Sequence, residues 1–319
     1  MVCGLSRILI VGMGSIGKRY ISIISELYPE ISIALLRHQK CSDQFSMTGV
    51  DYCVSSIDDA LEFKPHAAII ANPASHHLDT AIPLANAGVH LLIEKPISIT
   101  SEGLDKLINI CSDNDVTLMT GYNLRFLPSL QAFRGYLNEK KVGKVLSVRA
   151  EVGQYLPNWR VDSDYRNTVS AQKILGGGVL LELSHEIDYL QWLFGRVNKI
   201  EYTKIKKISN LKIKSEDIAQ VIGKIKNINF YLNLTYFSKF EERRIIIDSK
   251  KETIIGDLIN CNIKIINNNN LKIIKLKNNI NQTYVDQHLS ILNNQSKNLC
   301  NIKDAKNTVS FIEKLKKKI

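Results

Sequence analysis

Long apolar runs are missing from this sequence. None approaches the roughly 18 residues needed for a helix to span a bilayer, so no membrane span is expected. Cysteine is sparse and scattered: Cys3, Cys41, Cys53, Cys111, Cys261 and Cys300 form no C-x-x-C and do not cluster with histidine. That pattern fits neither a zinc site nor a disulfide scaffold, and it suits a reducing cytoplasm. A secretory leader is also missing, because Ile8-Leu9-Ile10-Val11 is too short for an apolar signal core and runs straight into glycines. The expected location is therefore cytoplasmic. The net charge of +11 is not gathered into a nucleic-acid-binding pattern. Many lysines sit among Asn and Ile after residue 198, beside Asn267–Asn270 and Lys316–Lys318, an enrichment that reflects genome composition more than a binding surface. Neither nucleic acid nor membrane is an expected partner.

What is present is an ordinary globular chain of 319 residues with 45% apolar and 23% charged side chains, long enough for two domains. Ile8–Val11, Ile31–Leu36, Ala67–Ala71, His90–Ile93 and Thr117–Thr120 read as buried strands. Between them, Ile16–Leu27, Ile57–Phe63, His76–Ala87 and Ser101–Asn114 read as helices, the last capped by Thr100. Such alternation predicts a parallel, doubly wound sheet. After Gly121 the pattern changes. Helices are expected over Leu127–Glu139, Thr168–Leu175, Val179–Phe194 and Lys303–Lys317, with strands over Lys144–Tyr155 and then in close succession from Lys199 to Leu276. The expected fold is an α/β Rossmann dinucleotide-binding domain over 1–121, followed over 122–319 by an α+β domain with a large, open, mostly antiparallel sheet.

Gly12-Met13-Gly14-Ser15-Ile16-Gly17 follows a predicted strand and opens a predicted helix, the context that a dinucleotide fingerprint requires. Gly12 permits a tight turn, Gly14 lets backbone approach a pyrophosphate, and Gly17 lets helix pack on strand. Gly12–Lys18 also fits the start of a P-loop, but Arg19 stands where Ser or Thr would hold magnesium, which argues against an NTPase. Arg37 ends the second strand where NAD-selective proteins carry an acid for the ribose 2′-hydroxyl, so NADP(H) is favoured and NAD(H) remains possible. Asn72, Pro73 and His76 follow the next strand, and Glu94-Lys95-Pro96 the one after, both at strand ends where ligands gather.

In Gly176–Gly195, Leu183, Ile187, Leu190 and Phe194 define a buried helical stripe, while Glu182, His185 and Asp188 recur every three residues toward a cleft. His185 is a natural proton carrier, because its ordinary pKa near 6.5 lies close to working pH. One E-x-x-H without a second pair, and no H-E-x-x-H, predicts no metal.

In this order, G-x-G-x-x-G, N-P-x-x-H, E-K-P, the glycine triplet and H-x-x-D resemble the glucose–fructose oxidoreductase / inositol dehydrogenase / MocA-like family over nearly the whole chain. The resemblance implies that Lys95 lies between nicotinamide and substrate and that Glu94 contacts the cofactor ribose. It also implies a homo-oligomer through the sheet of the second domain. The chain departs from the family pattern in placing Glu182 three rather than four residues before His185. Asn123-Leu124-Arg125-Phe126 resembles the family's N-x-R-F crossover, which with Glu182 makes Asn123 and Arg125 candidate substrate contacts. Tyr155, Trp159, Arg160 and Arg166 could bind an anionic sugar by stacking and bidentate pairing. The loop and the glycine-triplet region together resemble a subgroup of bacterial surface-sugar and nonulosonate pathways.

The expected function is an NAD(P)-dependent oxidoreductase that transfers hydride to or from a secondary alcohol or ketone of a sugar derivative, in surface-polysaccharide biosynthesis. Lys95 would polarise the reacting oxygen, His185 would exchange its proton, and Asp188 would orient the imidazole. The alternative is a cofactor-binding regulator or sensor on the same fold without turnover.

Overall fold

A computed structural model describes residues 6–37, 46–139, 142–159, 164–268, 270–277, 279–292 and 297–318. Two units divide the chain: Met1–Tyr122 with Tyr284–Val309, and Asn123–Thr283 with Ser310–Ile319. The first break falls one residue past the expected boundary. Residues 284–309 return to the first unit, a grouping that was not expected.

In the first unit β1 (Arg7–Val11), α1 (Ser15–Leu27), β2 (Ser32–Leu36), β3 (Tyr52–Val54), α2 (Ile57–Glu62), β4 (Ala67–Ile70), α3 (His77–Asn86), β5 (His90–Ile93), α4 (Leu104–Asp113) and β6 (Leu118–Thr120) alternate. Their strands are apolar along nearly their whole length because cores lie on both faces of the sheet. One core holds Leu9, Val11, Ile70, Leu84, Ile93 and Leu107; the other holds Ile8, Ile10, Tyr20, Ile24, Ile33 and Tyr284. The sheet order is β15-β6-β5-β4-β1-β2-β3, and β1 to β6 pair in parallel. Its order reverses beside β1, which places a topological switch point at the β1/β4 ends. The start of α4 corrects the expected cap: Gly103, in a left-handed conformation (φ 79°), takes the N-cap position in place of Thr100.

In the second unit α5 (Pro128–Asn138), β7 (Val145–Tyr155), α6 (Val179–Glu182) and α7 (His185–Phe194) precede β8 (Lys199–Lys206), β9 (Ile218–Ile225), β10 (Ile228–Thr235), β11 (Phe237–Ser249), β12 (Thr253–Asp257), β13 (Asn262–Asn267) and β14 (Asn270–Lys275). They form one sheet, β14-β13-β12-β11-β7-β10-β9-β8, antiparallel except for the β7/β10 pair. Strands alternate as a one-sided sheet should. Val148, Ala150 and Val152 of β7 are buried with Ile245 and Ile247 of β11, whereas Arg149 and Glu151 face outward and pair with Asp248 (3.1 Å) and Arg244 (2.7 Å).

The chain ends with α8 (Ile280–Leu292), β15 (Cys300–Asn301) and α9 (Ile302–Lys316). β15 adds an antiparallel edge to β6. Cys111, Cys261 and Cys300 are free and buried, but Cys53 is disulfide-bonded, a pairing that spacing along the sequence did not suggest. No helix among the described residues is long and apolar enough to cross a membrane.

Candidate active site

The glycine turn after β1 leaves a helix start open. Gly12 has φ +95°, and a Cβ there would lie 2.9 Å from both Ala71 O and Asn72 N, so only glycine brings this turn against the end of β4. A Cβ on Gly17 would overlap Gly12 O, so the helix packs on its own turn. Gly14 caps α1 without a side-chain hydrogen bond, no acidic residue occupies the first turn, and a Cβ on Gly14 would meet nothing within 4 Å. Ser15 is exposed and Ile16 half-buried. Free N–H groups at the positive end of a helix, with room beside them, suit a pyrophosphate.

The neighbouring strand ends carry the other expected residues. Asn72 Nδ2 donates to Thr80 Oγ1 (3.2 Å), while Asn72 Oδ1 is buried with no hydrogen-bond partner among the described residues. Pro73 opens a single 3₁₀ turn over Ala74–His76. His76 is exposed, and its carbonyl accepts from Thr80 (3.0 Å). His77, not His76, is the buried histidine here. Its ring lies 3.0 Å from Pro96 O and 2.9 Å from Asn72 O, tying the loop after β4 to the loop after β5. Burial lowers its pKa to about 4, so the ring is neutral at neutral pH. Glu94 is buried; its Oε1 accepts from Tyr20 (2.7 Å) and its Oε2 from Lys95 N (3.2 Å). Burial pushes the Glu94 carboxyl up, opposed by the Tyr20 hydrogen bond and the charge of Lys95. Lys95 is half-buried at the end of β5. Arg37 is half-buried after β2, and its N–H donates to Val54 O (3.1 Å).

In the second unit the expected helix over Val179–Phe194 is two helices, broken at Leu183-Ser184. Glu182 therefore sits on a separate turn, where Ser170 Oγ donates to its Oε2 (2.6 Å). The expected helix over Thr168–Leu175 is also absent; 3₁₀ turns at Val169–Ala171 and Lys173–Leu175 replace it. The carbonyls that would continue that helix accept instead from Gly177 (Gln172 O, 3.0 Å), Gly178 (Ser170 O, 3.2 Å) and Lys214 (Ala171 O, 3.0 Å).

His185 begins α7 and is 9% exposed. Asp188, expected to orient it, grips Arg125 with both oxygens (2.9 and 2.7 Å), and each side chain of the pair is only 2% exposed. Arg125, expected to contact substrate, is thus buried in the unit, with its guanidinium 5.2 Å from the Trp192 ring centroid. Asn123 Nδ2 donates to Thr283 (2.7 Å), again inside the unit. Tyr155 ends β7 with the Lys239 ammonium over its ring. Trp159 packs edge-on against Tyr236 at 5.2 Å, which anchors the loop that follows β7. Arg166 is 60% exposed and pairs with Asp164 two residues away (2.6 Å). Arg160 lies outside the described residues. Among the described residues no group of three or more His, Cys, Asp or Glu could hold a metal ion.

Residues 6–122 match the model of the "Oxidoreductase family, NAD-binding Rossmann fold", and residues 130–255 that of the "GFO/IDH/MocA C-terminal domain". The chain belongs to the GFO/IDH/MocA oxidoreductase family. Levoglucosan dehydrogenase of Pseudarthrobacter phenanthrenivorans is 31% identical over 137 residues, 42% of this chain and 34% of that protein. The chain thus spans about a third of that relative, as it does of two others matched over 34% and 33% of their lengths. Among solved folds, the WlbA dehydrogenase from Bordetella pertussis, in complex with NADH and UDP-GlcNAcA, superposes with a TM-score of 0.82 at 19% identity, covering 99% of this chain and 96% of that one. UDP-N-acetylglucosamine 3-dehydrogenase GnnA from Acidithiobacillus ferrooxidans gives 0.77 at 18% identity, covering 98% and 96%.

Three residues of this family member's first unit were missed in the sequence: Tyr20, His77 and Gln287. For His77 a signal existed, because His77, Thr80, Ala81 and Leu84 fall on one buried face of α3. Tyr20 likewise lies on the buried face of α1. For Gln287 there was none, since nothing local links it to a strand end 193 residues earlier.

Proposed function

We propose that the protein is an NAD(P)-dependent dehydrogenase or reductase acting on a CH–OH group of a sugar derivative. The observation that carries this reading is the open, uncapped start of α1 beside the orphaned Asn72 Oδ1 and the Glu94-Lys95 pair. These residues fit a dinucleotide: Gly12, Gly14, Ser15, Ile16 and Gly17 would hold its phosphates, and Asn72, Pro73 and Glu94 its nicotinamide half. When bound, the nicotinamide supplies or accepts the hydride.

In this reading Lys95 holds and polarises the reacting oxygen, and His185 exchanges its proton. General acid–base transfer of that kind contributes about 10²–10⁴-fold. Asp188 acts through Arg125: their buried pair fixes the start of α7, and with it His185. Glu182, held by Ser170, Tyr155 and Trp159 remain candidates to line the substrate. Arg37 stands where an acid would repel a 2′-phosphate, which favours NADP(H), with NAD(H) as the alternative. The sugar ligand of WlbA supports an anionic substrate, a sugar nucleotide or a nonulosonate-type acid. Assembly through the open face of the second-unit sheet completes the reading.

Mass spectrometry of ligand retained by the purified protein, followed by nicotinamide absorbance with nucleotide-activated, carboxylated and neutral sugars, tests this. Turnover of an anionic sugar supports it. Efficient use of a neutral polyol, unaffected by Arg166→Ala, overturns the anionic substrate. Cofactor binding without turnover of any sugar favours a sensor.

A further inference from the structure

We propose that Tyr20 and Gln287 are positioning residues that hold the Glu94 carboxylate in the orientation in which it meets the cofactor, so that the segment Tyr284–Val309 is part of the cofactor-binding apparatus. This rests on the reading that Glu94 contacts the cofactor ribose.

Glu94 is constrained on three sides. Tyr20 Oη donates to its Oε1 at 2.7 Å, Lys95 N–H donates to its Oε2 at 3.2 Å, and a Cβ on Gly121 would lie 2.7 Å from Oε1. The Tyr20 oxygen in turn accepts from Gln287 Nε2 at 3.1 Å. With a donor already aimed at that oxygen, the hydroxyl hydrogen is left to point at Glu94, so the amide sets the direction of the bond. The Tyr20 ring is held edge-on by Tyr284 (5.7 Å) and lies 6.0 Å from His288.

Gln287 is fully buried, and its Oε1 has no hydrogen-bond partner among the described residues, nor does either ring nitrogen of His288. An apolar side chain would avoid the penalty of a half-satisfied buried amide. The bond that Gln287 does make is the one to Tyr20.

Ionised and neutral groups around the carboxylate decide its charge. Lys95 on its own loop and Arg19 and Tyr20 from α1 favour the carboxylate, against its burial. Tyr284 and His288 surround Tyr20 from α8, and burial keeps His288 neutral by lowering its pKa to about 4. Removing the Tyr20 hydroxyl deletes a contribution that lowers the Glu94 pKa. The carboxyl then takes its proton at higher pH, and a protonated carboxyl loses acceptor capacity toward ribose hydroxyls.

The test is fluorescence titration of the full-length protein with NADH and NADPH from pH 5 to 9. Tyr20→Phe keeps the ring and its packing. It is expected to weaken binding about tenfold, the size of a hydrogen bond to a charged group, and to move the acid limb of the affinity profile to higher pH. Gln287→Leu should act in the same direction by about two- to fivefold. The double variant should bind no more weakly than Tyr20→Phe alone, because Gln287 acts through Tyr20. Unchanged binding in Tyr20→Phe, a loss equal at every pH, or additive losses in the double variant would each overturn the proposal. Failure of the unaltered protein to bind either nucleotide would overturn the dinucleotide reading, and this inference with it.

Discussion

Two glycine-rich stretches each lead into a helix, and the structure treats them in opposite ways. At Gly12–Gly17 the helix start is left uncapped, with space beside Gly14. At Gly176–Gly178 the corresponding space is filled from within the unit: Glu216 Oε1 accepts from Leu180 N at 3.4 Å, and a Cβ on Gly178 would overlap that carboxylate. Glycine therefore marks close approach of something, but not of what. In the first stretch no described residue takes the place of an anion, whereas in the second a carboxylate of the chain already does. If, as proposed, the first holds a ligand and the second is framework, substitutions around them should separate into losses of chemistry and losses of stability.

The largest effect should come from the residues proposed to do the chemistry. Lys95→Ala is expected to abolish turnover while leaving cofactor affinity mostly intact, and His185→Ala to slow it by about 10²–10⁴-fold. Steady-state rates on the true substrate, beside nucleotide titrations, check both. Normal turnover in the two variants would remove the proton-relay assignment and blur the contrast.

Next comes the framework. Asp188→Ala strands the Arg125 guanidinium in the interior, and such a break destabilises by about 3–5 kcal/mol. A denaturant midpoint that does not fall would show that Asp188 acts at His185 instead.

Stability should also depend on acid. His77 and His288 both titrate at about 4 in the folded chain. Their ordinary value is near 6.5, so the unfolded chain takes up protons first as the pH falls. Stability is full above about 6.5 and declines toward 4, by on the order of 3 kcal/mol for each ring. Thermal melts of His288→Gln should show about half of that decline, and an identical slope would show that other groups carry it.

The smallest effect concerns Arg37. Its removal should weaken NADPH relative to NADH by roughly tenfold, the size of one charge-assisted pair. Comparing kcat/KM for both cofactors in Arg37→Ala decides this. A preference for NAD(H) that the substitution leaves unchanged would show that Arg37 plays no part in cofactor choice.

The sequence by itself determined the parts governed by neighbours along the chain. Apolar runs bounded by glycine or proline placed β1, β4 and β5, and the glycine spacing located the start of α1 and its open turn. The close succession of strands from Lys199 to Leu276 identified a large, mostly antiparallel sheet. Tertiary structure decided the rest. Helix α8 escaped notice because its buried face is Thr283, Tyr284, Gln287 and His288, largely polar side chains whose burial no apolar periodicity reveals. The strand β15 is two residues long and exists only through its pairing with β6. Spacing put Glu182, His185 and Asp188 on one face of a helix. The break at Leu183-Ser184 and the hold of Arg125 on Asp188 gave each a different neighbour. Local rules set which residues can begin or end an element, but the partner of a buried charge is chosen by whichever distant group folding brings within hydrogen-bond reach.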